Sequence, residues 1–265
     1  MVDAITLSPE NLMIRALFSF STRCAPAVFP SARFGGLLAL GLCALSPSAW
    51  AGRPMATDDA AVLEPGACQV EAWTERRRDE RAYWLNPGCN PWGNTDFSLG
   101  VGRARSDEAG SATLTAWQIK HLLRPVQNGA FGLALAVGAE RNRRVHNRAL
   151  GDLAYKGIVT VPLLDDDWLM HANLGAVRER AEGLRRTRST WALALDRAVA
   201  PHTRVSAETF GVGEDRAQWQ LGARHELLPG WLQIDASVGS PWSRWSSGRV
   251  VTVGLVIVTD PLLGR

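Results

Sequence analysis

Phe131-Gly132-Leu133-Ala134-Leu135-Ala136-Val137-Gly138 sets four large apolar side chains in strict alternation with four small ones. In an extended chain successive side chains point to opposite faces, so this run has one oily face and one thin face. A helix would instead repeat its apolar residues every three or four positions, and this run does not. The period of two recurs in both directions. Upstream, Phe97, Leu99 and Val101 alternate with Asp96, Ser98, Gly100 and Gly102. Downstream, Trp168, Met170, Ala172 and Leu174 alternate with Leu169, His171, Asn173 and Gly175, and Trp191, Leu193 and Leu195 with Ala192, Ala194 and Asp196. Leu232, Ile234, Ala236 and Val238 alternate with Gln233, Asp235, Ser237 and Gly239, and Val251, Val253, Leu255 and Ile257 close the series.

The pattern predicts strands over 67–75, 81–86, 95–103, 112–122, 130–139, 152–161, 168–177, 189–198, 203–210, 216–226, 231–239 and 249–259. Most approach the roughly 9–11 residues that a tilted strand needs to cross a bilayer. The connectors alternate in chemistry. Those at 86–94, 124–129, 162–167, 199–202 and 228–230 contain proline, whereas 75–81, 103–110, 140–150, 178–188 and 211–216 are rich in charge, with 240–248 as the last connector on that side. A membrane barrel has short turns on one side and longer loops on the other, and an even strand number returns both ends to one side. The expected fold is therefore all-β, an antiparallel up-and-down transmembrane β-barrel of about twelve strands. A soluble β-protein is the alternative, because alternation alone does not say whether the oily face meets lipid or a second sheet.

Composition narrows the class. With 46% hydrophobic and 21% charged residues the chain is neither a disordered segment nor a bundle of membrane helices. Its 29 basic and 26 acidic residues leave a net charge of +3, which does not single out nucleic acid as partner. Arg15, Arg23 and Arg33 precede the apolar run Phe34 to Leu45, followed by Ala49-Trp50-Ala51. That is the layout of a secretory signal cleaved after Ala51, with a retained anchor as the alternative. The expected organisation is an N-terminal extension and signal peptide over 1–51, a periplasmic segment over 52–66 and an outer-membrane barrel over 67–265. Export leaves Cys68 and Cys89, whose midpoint falls in the polar run Glu75–Arg81. A hairpin turning there sets them opposite each other, as a disulfide or as two thiols.

By parity with the oily face, Glu71, Asp96, Lys120, Lys156, Asp196, Glu208, Arg224 and Asp235 point inward, and they include the chain's two lysines. Two readings follow: a hydrogen-bonded network that fills a narrow lumen, or the lining of a water path or ligand tunnel. Gly100, Gly132, Gly138, Gly222, Gly239 and Gly254 on the same face leave room for either. Eleven tryptophans against two tyrosines suit aromatic girdles, with Trp84, Trp117, Trp168, Trp191 and Trp219 as candidates and Trp73 and Trp231 assigned inward by parity. The charged connectors, rich in arginine, offer bidentate donors to lipid phosphate, although solvated loops need no ligand.

No constellation for chemistry emerges. His121, His146, His171, His202 and His225 share no metal-ligand spacing, so neither a metal nor a cofactor is expected. His171 with Asn173, or His225 with Glu226, is the nearest approach to a hydrolytic site, and a satisfied histidine is the simpler reading of each. Asp58-Asp59 reads as a turn or cap before the first strand.

One run carries a family likeness. Arg53-Pro54-Met55-Ala56-Thr57-Asp58-Asp59-Ala60, then Pro65-Gly66-Ala67-Cys68-Gln69-Val70-Glu71, resembles the opening of mature proteins of the MetA-pathway of phenol degradation family, outer-membrane β-barrels of Gram-negative bacteria. The resemblance is confined to about the first twenty mature residues. It implies a barrel that passes or binds hydrophobic aromatic compounds, lies among outer-membrane lipids and lipopolysaccharide, and is inserted by the barrel-assembly machinery. The chain departs from that pattern by closing on Thr259-Asp260-Pro261-Leu262-Leu263-Gly264-Arg265 without a terminal aromatic residue. The function expected is a channel or uptake protein for small molecules, not an enzyme. The alternatives are a structural barrel with a filled lumen and arginine-rich loops, or a lipid-modifying barrel.

Overall fold

The computed structural model describes residues 52–127, 129–146, 149–163, 167–180, 185–242 and 248–262, so the signal region 1–51 lies outside the described residues. Twelve strands follow in order: β1 (Cys68–Arg76), β2 (Glu80–Cys89), β3 (Thr95–Ser106), β4 (Gly110–Arg124), β5 (Gly132–Asn142), β6 (Asp152–Leu163), β7 (Trp168–Glu179), β8 (Arg186–Ala200), β9 (Thr203–Val212), β10 (Gln218–Leu228), β11 (Leu232–Pro241) and β12 (Val250–Val258). Each pairs antiparallel with its sequence neighbours, and β1 pairs with β12, so the sheet is a closed barrel. Closure leaves no strand edge unpaired, which is what a sheet surrounded by lipid requires.

The stretch that decides the fold is β5 and its approach. Ala134 and Ala136 are buried, while Leu135 on the other face is 50% exposed. Around the barrel the same parity holds, with Leu99, Val101, Leu174, Leu193, Leu221 and Val253 exposed on the outer wall. A soluble sandwich would bury these side chains between two sheets, and here they form a belt with no protein over it. At the end of the barrel that carries the proline turns, Trp92 packs edge-on against Phe97 at 5.0 Å, and Arg124 and Arg197 lie over the rings of Phe131 and Trp168. At the other end Trp219 meets Trp242 at 6.4 Å, with Tyr83 and Tyr155 exposed nearby along the strands. Aromatic side chains thus bracket the belt at both ends, where ring faces meet hydrocarbon and polar atoms meet water.

Three expectations need correction. The strands run further toward the charged end than alternation suggested, so only 77–79 and 107–109 connect β1 to β2 and β3 to β4. Arg76, Arg81, Arg103 and Arg105 therefore stand on the strand wall and not in loops. The period of two survives a change from apolar to charged residues, and hydropathy had marked the end of the oil, not of the strand. Similarly β2 continues through Pro87 to Cys89, although Asn86 and Pro87 are missing from its ladder with β3. Among the tryptophans, Trp84 points inward and stacks on Trp73 at 5.6 Å, whereas Trp231 precedes β11 and is 51% exposed.

Candidate functional site

The barrel is filled, and what fills it is its own N-terminal segment. Residues 52–63 are buried throughout. They lie within the cylinder and not in the periplasm as the sequence reading placed them. The physical reason is that many polar groups of the segment find partners on the inward faces of the strands. Arg53 donates to Asp235 on β11 at 3.1 Å and sits over the Trp73 ring at 4.4 Å. Gln220 on β10 donates to the Pro54 carbonyl at 2.6 Å. Glu208 on β9 accepts from the Ala56 and Thr57 backbone N–H groups and from the Thr57 hydroxyl at 2.7–3.0 Å.

Asp59 keeps a local turn contact, its carboxylate accepting the Ala61 N–H at 3.2 Å, but both acids also serve as counter-ions to the wall. Asp58 pairs with Lys156 on β6 and accepts from the Gln118 amide at 3.3 Å. Its backbone exchanges two hydrogen bonds of 2.8 Å with the Asn173 side chain. Asp59 pairs with Lys120 on β4 at 3.4 Å. Further along, the Ala60 N–H donates to the Thr160 hydroxyl at 2.8 Å and the Leu63 N–H to Asp96 at 3.1 Å. Such pairing is what burial demands, because an unpaired charge or amide away from water costs several kcal/mol, on the order of 2–7 for the neutral group alone.

The segment is also packed. Ala56 joins Ala154, Ala192 and Phe210, Ala60 joins Ala134, Ala136 and Ile158, and Leu63 joins Ala67, Val256 and Val258. Two inner-wall glycines are explained by it. A Cβ on Gly222 would stand 2.6 Å from the Pro54 ring, and one on Gly254 would stand 2.8 Å from the Arg53 guanidinium. The room those glycines leave is taken by the segment.

All eight inward residues named from parity are buried, at 6% exposure or less. Asp235, Glu208, Lys156, Lys120 and Asp96 hold the segment, while Asp196 binds Arg204 at 2.8 Å and also Arg224, and Glu71 accepts from Asn86 at 3.0 Å. The inward set named only charged residues and so left out the neutral members Gln118, Asn173, Thr160 and Gln220, and parity within strands says nothing of the segment. One signal was available: the chain's two lysines are matched in number by the adjacent Asp58 and Asp59. Cys68 and Cys89 are cross-strand neighbours joined by a disulfide where the segment enters the barrel.

The two histidines considered for hydrolysis, His171 and His225, are each bonded to a threonine hydroxyl. His171 Nδ1 lies 2.9 Å from the Thr160 hydroxyl and its Nε2 lies 4.0 Å from Asp196, the order of a nucleophilic triad. Yet His171 and Asp196 are fully buried, and the Thr160 hydroxyl already accepts the Ala60 N–H. His225 bonds Thr203, and Glu226 bonds His202, so that pair does not act together.

A closed antiparallel cylinder with an oily belt, aromatic margins and a polar interior defines a transmembrane β-barrel of the outer-membrane type. The chain belongs to the family described as uncharacterised conserved protein UCP029691, which it matches over residues 39–258. No curated protein matches its sequence. Among solved structures it is similar to the KdgM porin in complex with disordered oligogalacturonate, at TM-score 0.56 and 10% identity over 72% of this chain and 99% of that one. The COG4313 outer membrane channel from Pseudomonas putida F1 is similar at TM-score 0.52 and 11% identity, over 76% and 98%. The NanC porin is similar at TM-score 0.54 and 5% identity, over 72% and 98%. At such identities the likeness establishes the fold.

Proposed function

We propose that the protein is an outer-membrane channel for small polar molecules that stands closed in this state, with residues 52–63 as its stopper. One observation carries the reading: the lumen is filled by one continuous chain segment that joins β1 through residues 64–67 and meets the inner wall through ion pairs, hydrogen bonds and a few apolar contacts. A wall that filled itself would need large inward residues at Gly222 and Gly254. The likeness to barrels described as porins and a channel supports the same reading. The resemblance to the MetA-pathway of phenol degradation family favours aromatic solutes. The ionic character of the inner wall favours hydrophilic ones, and we give it more weight.

The test is conductance in planar bilayers. The mature full chain should be nearly silent, and the triple variant Arg53→Ala/Asp58→Ala/Asp59→Ala should pass at least tenfold more current. A variant that keeps heat-modifiable gel mobility yet remains silent would overturn the channel in favour of a structural barrel.

A partner is also proposed for the rim. Arg76 pairs laterally with Arg81 and Arg81 with Arg105, so three exposed guanidiniums form one row on the outer wall at the charged end. Lipopolysaccharide phosphates suit such forks. Changing all three to serine should reduce co-purifying lipopolysaccharide. Insertion by the barrel-assembly machinery is proposed on the fold.

A further inference from the structure

The stopper reveals what its socket prefers. Lys120 on β4 and Lys156 on β6 are both lateral neighbours of Ala136 on β5. Adjacent strands lie about 4.8 Å apart, so the two lysines stand on one row with their α-carbons about 10 Å apart and a methyl group between them. Both are buried, at 1% and 6% exposure. Two amides stand one inward position off the row: Gln118, two residues before Lys120, and Asn173 on β7, two residues before Gly175, the lateral neighbour of Lys156, and both bond Asp58. Asp96 flanks Lys120 on the other side, where it also holds the Leu63 N–H. Beyond His171, Arg204 and Arg224 share Asp196.

At the height of Ala136 the wall presents Lys120 and Lys156 to Asp58 and Asp59, with Glu140 and Asp152 buried nearer the charged end of β5 and β6, while Asp235 on β11 pairs with Arg53. Two ammonium groups on one row in a water-poor interior need counter-charge, and in this state consecutive carboxylates of the segment supply it. When the segment leaves, the two lysines lose the carboxylates it brings, and Asp96 stays on the wall beside Lys120. Neighbouring β5 contributes only Ala134, Ala136 and Gly138 at this height, so the vacated space is open to a solute.

We propose that Lys120 and Lys156, with the Gln118 and Asn173 amides, form an anion seat for a small dicarboxylate solute, which Asp58 and Asp59 occupy as a built-in competitor. The proposal rests on the channel reading and deepens it. The seat explains why the stopper carries two adjacent acids, and it makes opening and solute entry the same event: a dicarboxylate that takes the lysines displaces the segment.

The experiment uses the mature full chain in planar bilayers, with succinate as probe and acetate at equal ionic strength as control. Succinate should raise the open probability of the wild type at least fivefold over acetate. In the Asp58→Asn/Asp59→Asn variant, which leaves the lysines but weakens their resident partners, a potassium chloride gradient should give an anion-selective reversal potential. Adding Lys120→Met and Lys156→Met to that variant should abolish the selectivity and the difference between succinate and acetate. A wild type that responds equally to both acids, or a variant whose selectivity ignores the two lysines, overturns the seat while leaving the channel standing. Current absent from every folded form removes the channel reading itself. The wild-type comparison does not depend on any substituted chain folding.

Discussion

The outer and inner walls are built from the same twelve strands, residue by alternate residue, yet they are held in place by different physics. Outside, Leu174 is 72% exposed and Leu99 68%, and neither needs a particular neighbour, because lipid accepts any apolar side chain. Inside, Asp196 is fully buried and bonded to two named arginines, and Glu208 takes hydrogen bonds from Ala56 and Thr57. A generic solvent asks only for the right class of residue. A filled interior asks for the right partner, which depends on residues far away in sequence.

The sharpest way to break that contrast is to remove one inner partner. Asp196→Ala leaves Arg204 and Arg224 without the carboxylate they share, and breaking a buried ion pair from one side costs roughly 3–5 kcal/mol. The expected outcome is a lower denaturant midpoint for loss of the heat-modifiable species. Replacing all three with apolar residues should recover much of the loss, since the penalty comes from the stranded charge. Recovery is the informative half of the experiment, because a purely steric role for Asp196 would not show it.

On the outer wall the equivalent insult is a charge set into the oil. Leu174→Arg should cost about 2–4 kcal/mol if the position lies near the bilayer midplane, less toward either margin. Leu174→Ile should cost almost nothing. Folding yield into vesicles reads both. A Leu174→Arg protein that folds as well as the wild type would mean that this face does not meet hydrocarbon.

The same contrast sets what could be read from sequence. The strands were legible because one rule, alternation, applies locally, and Leu133, Leu135 and Val137 obey it without reference to any other part of the chain. Their ends were less legible where Arg103 and Arg105 keep the period while losing the hydropathy. The inward set was legible as a set: parity brought Glu71, Lys120, Lys156 and Asp235 to one side. Their partners were not. Asp235 finds Arg53 across 182 residues of sequence, and nothing local marks that pair. Asp58 and Asp59 look like a turn because short acidic residues favour turns, and only the closed barrel turns them into counter-ions.

Between the two walls lies the charged rim, and a substitution there measures where interior rules give way to solvent. Arg186 donates to Glu179 at 2.5 Å, shorter than the 2.8 Å between Arg204 and Asp196. Distance alone would rank the rim pair as stronger. Its arginine side chain is 44% exposed, however, whereas the Arg204 side chain is 11% exposed. Water and salt screen the rim pair, and Glu179 keeps Arg188 as a second partner. Arg186→Ala should therefore cost about 0.2–1 kcal/mol, and the loss should shrink further as salt is raised. The cost of Asp196→Ala should barely respond to salt. If the two losses fell together with ionic strength, the interior would be wet enough to screen its own charges, and the distinction between a filled lumen and an exposed rim would fail.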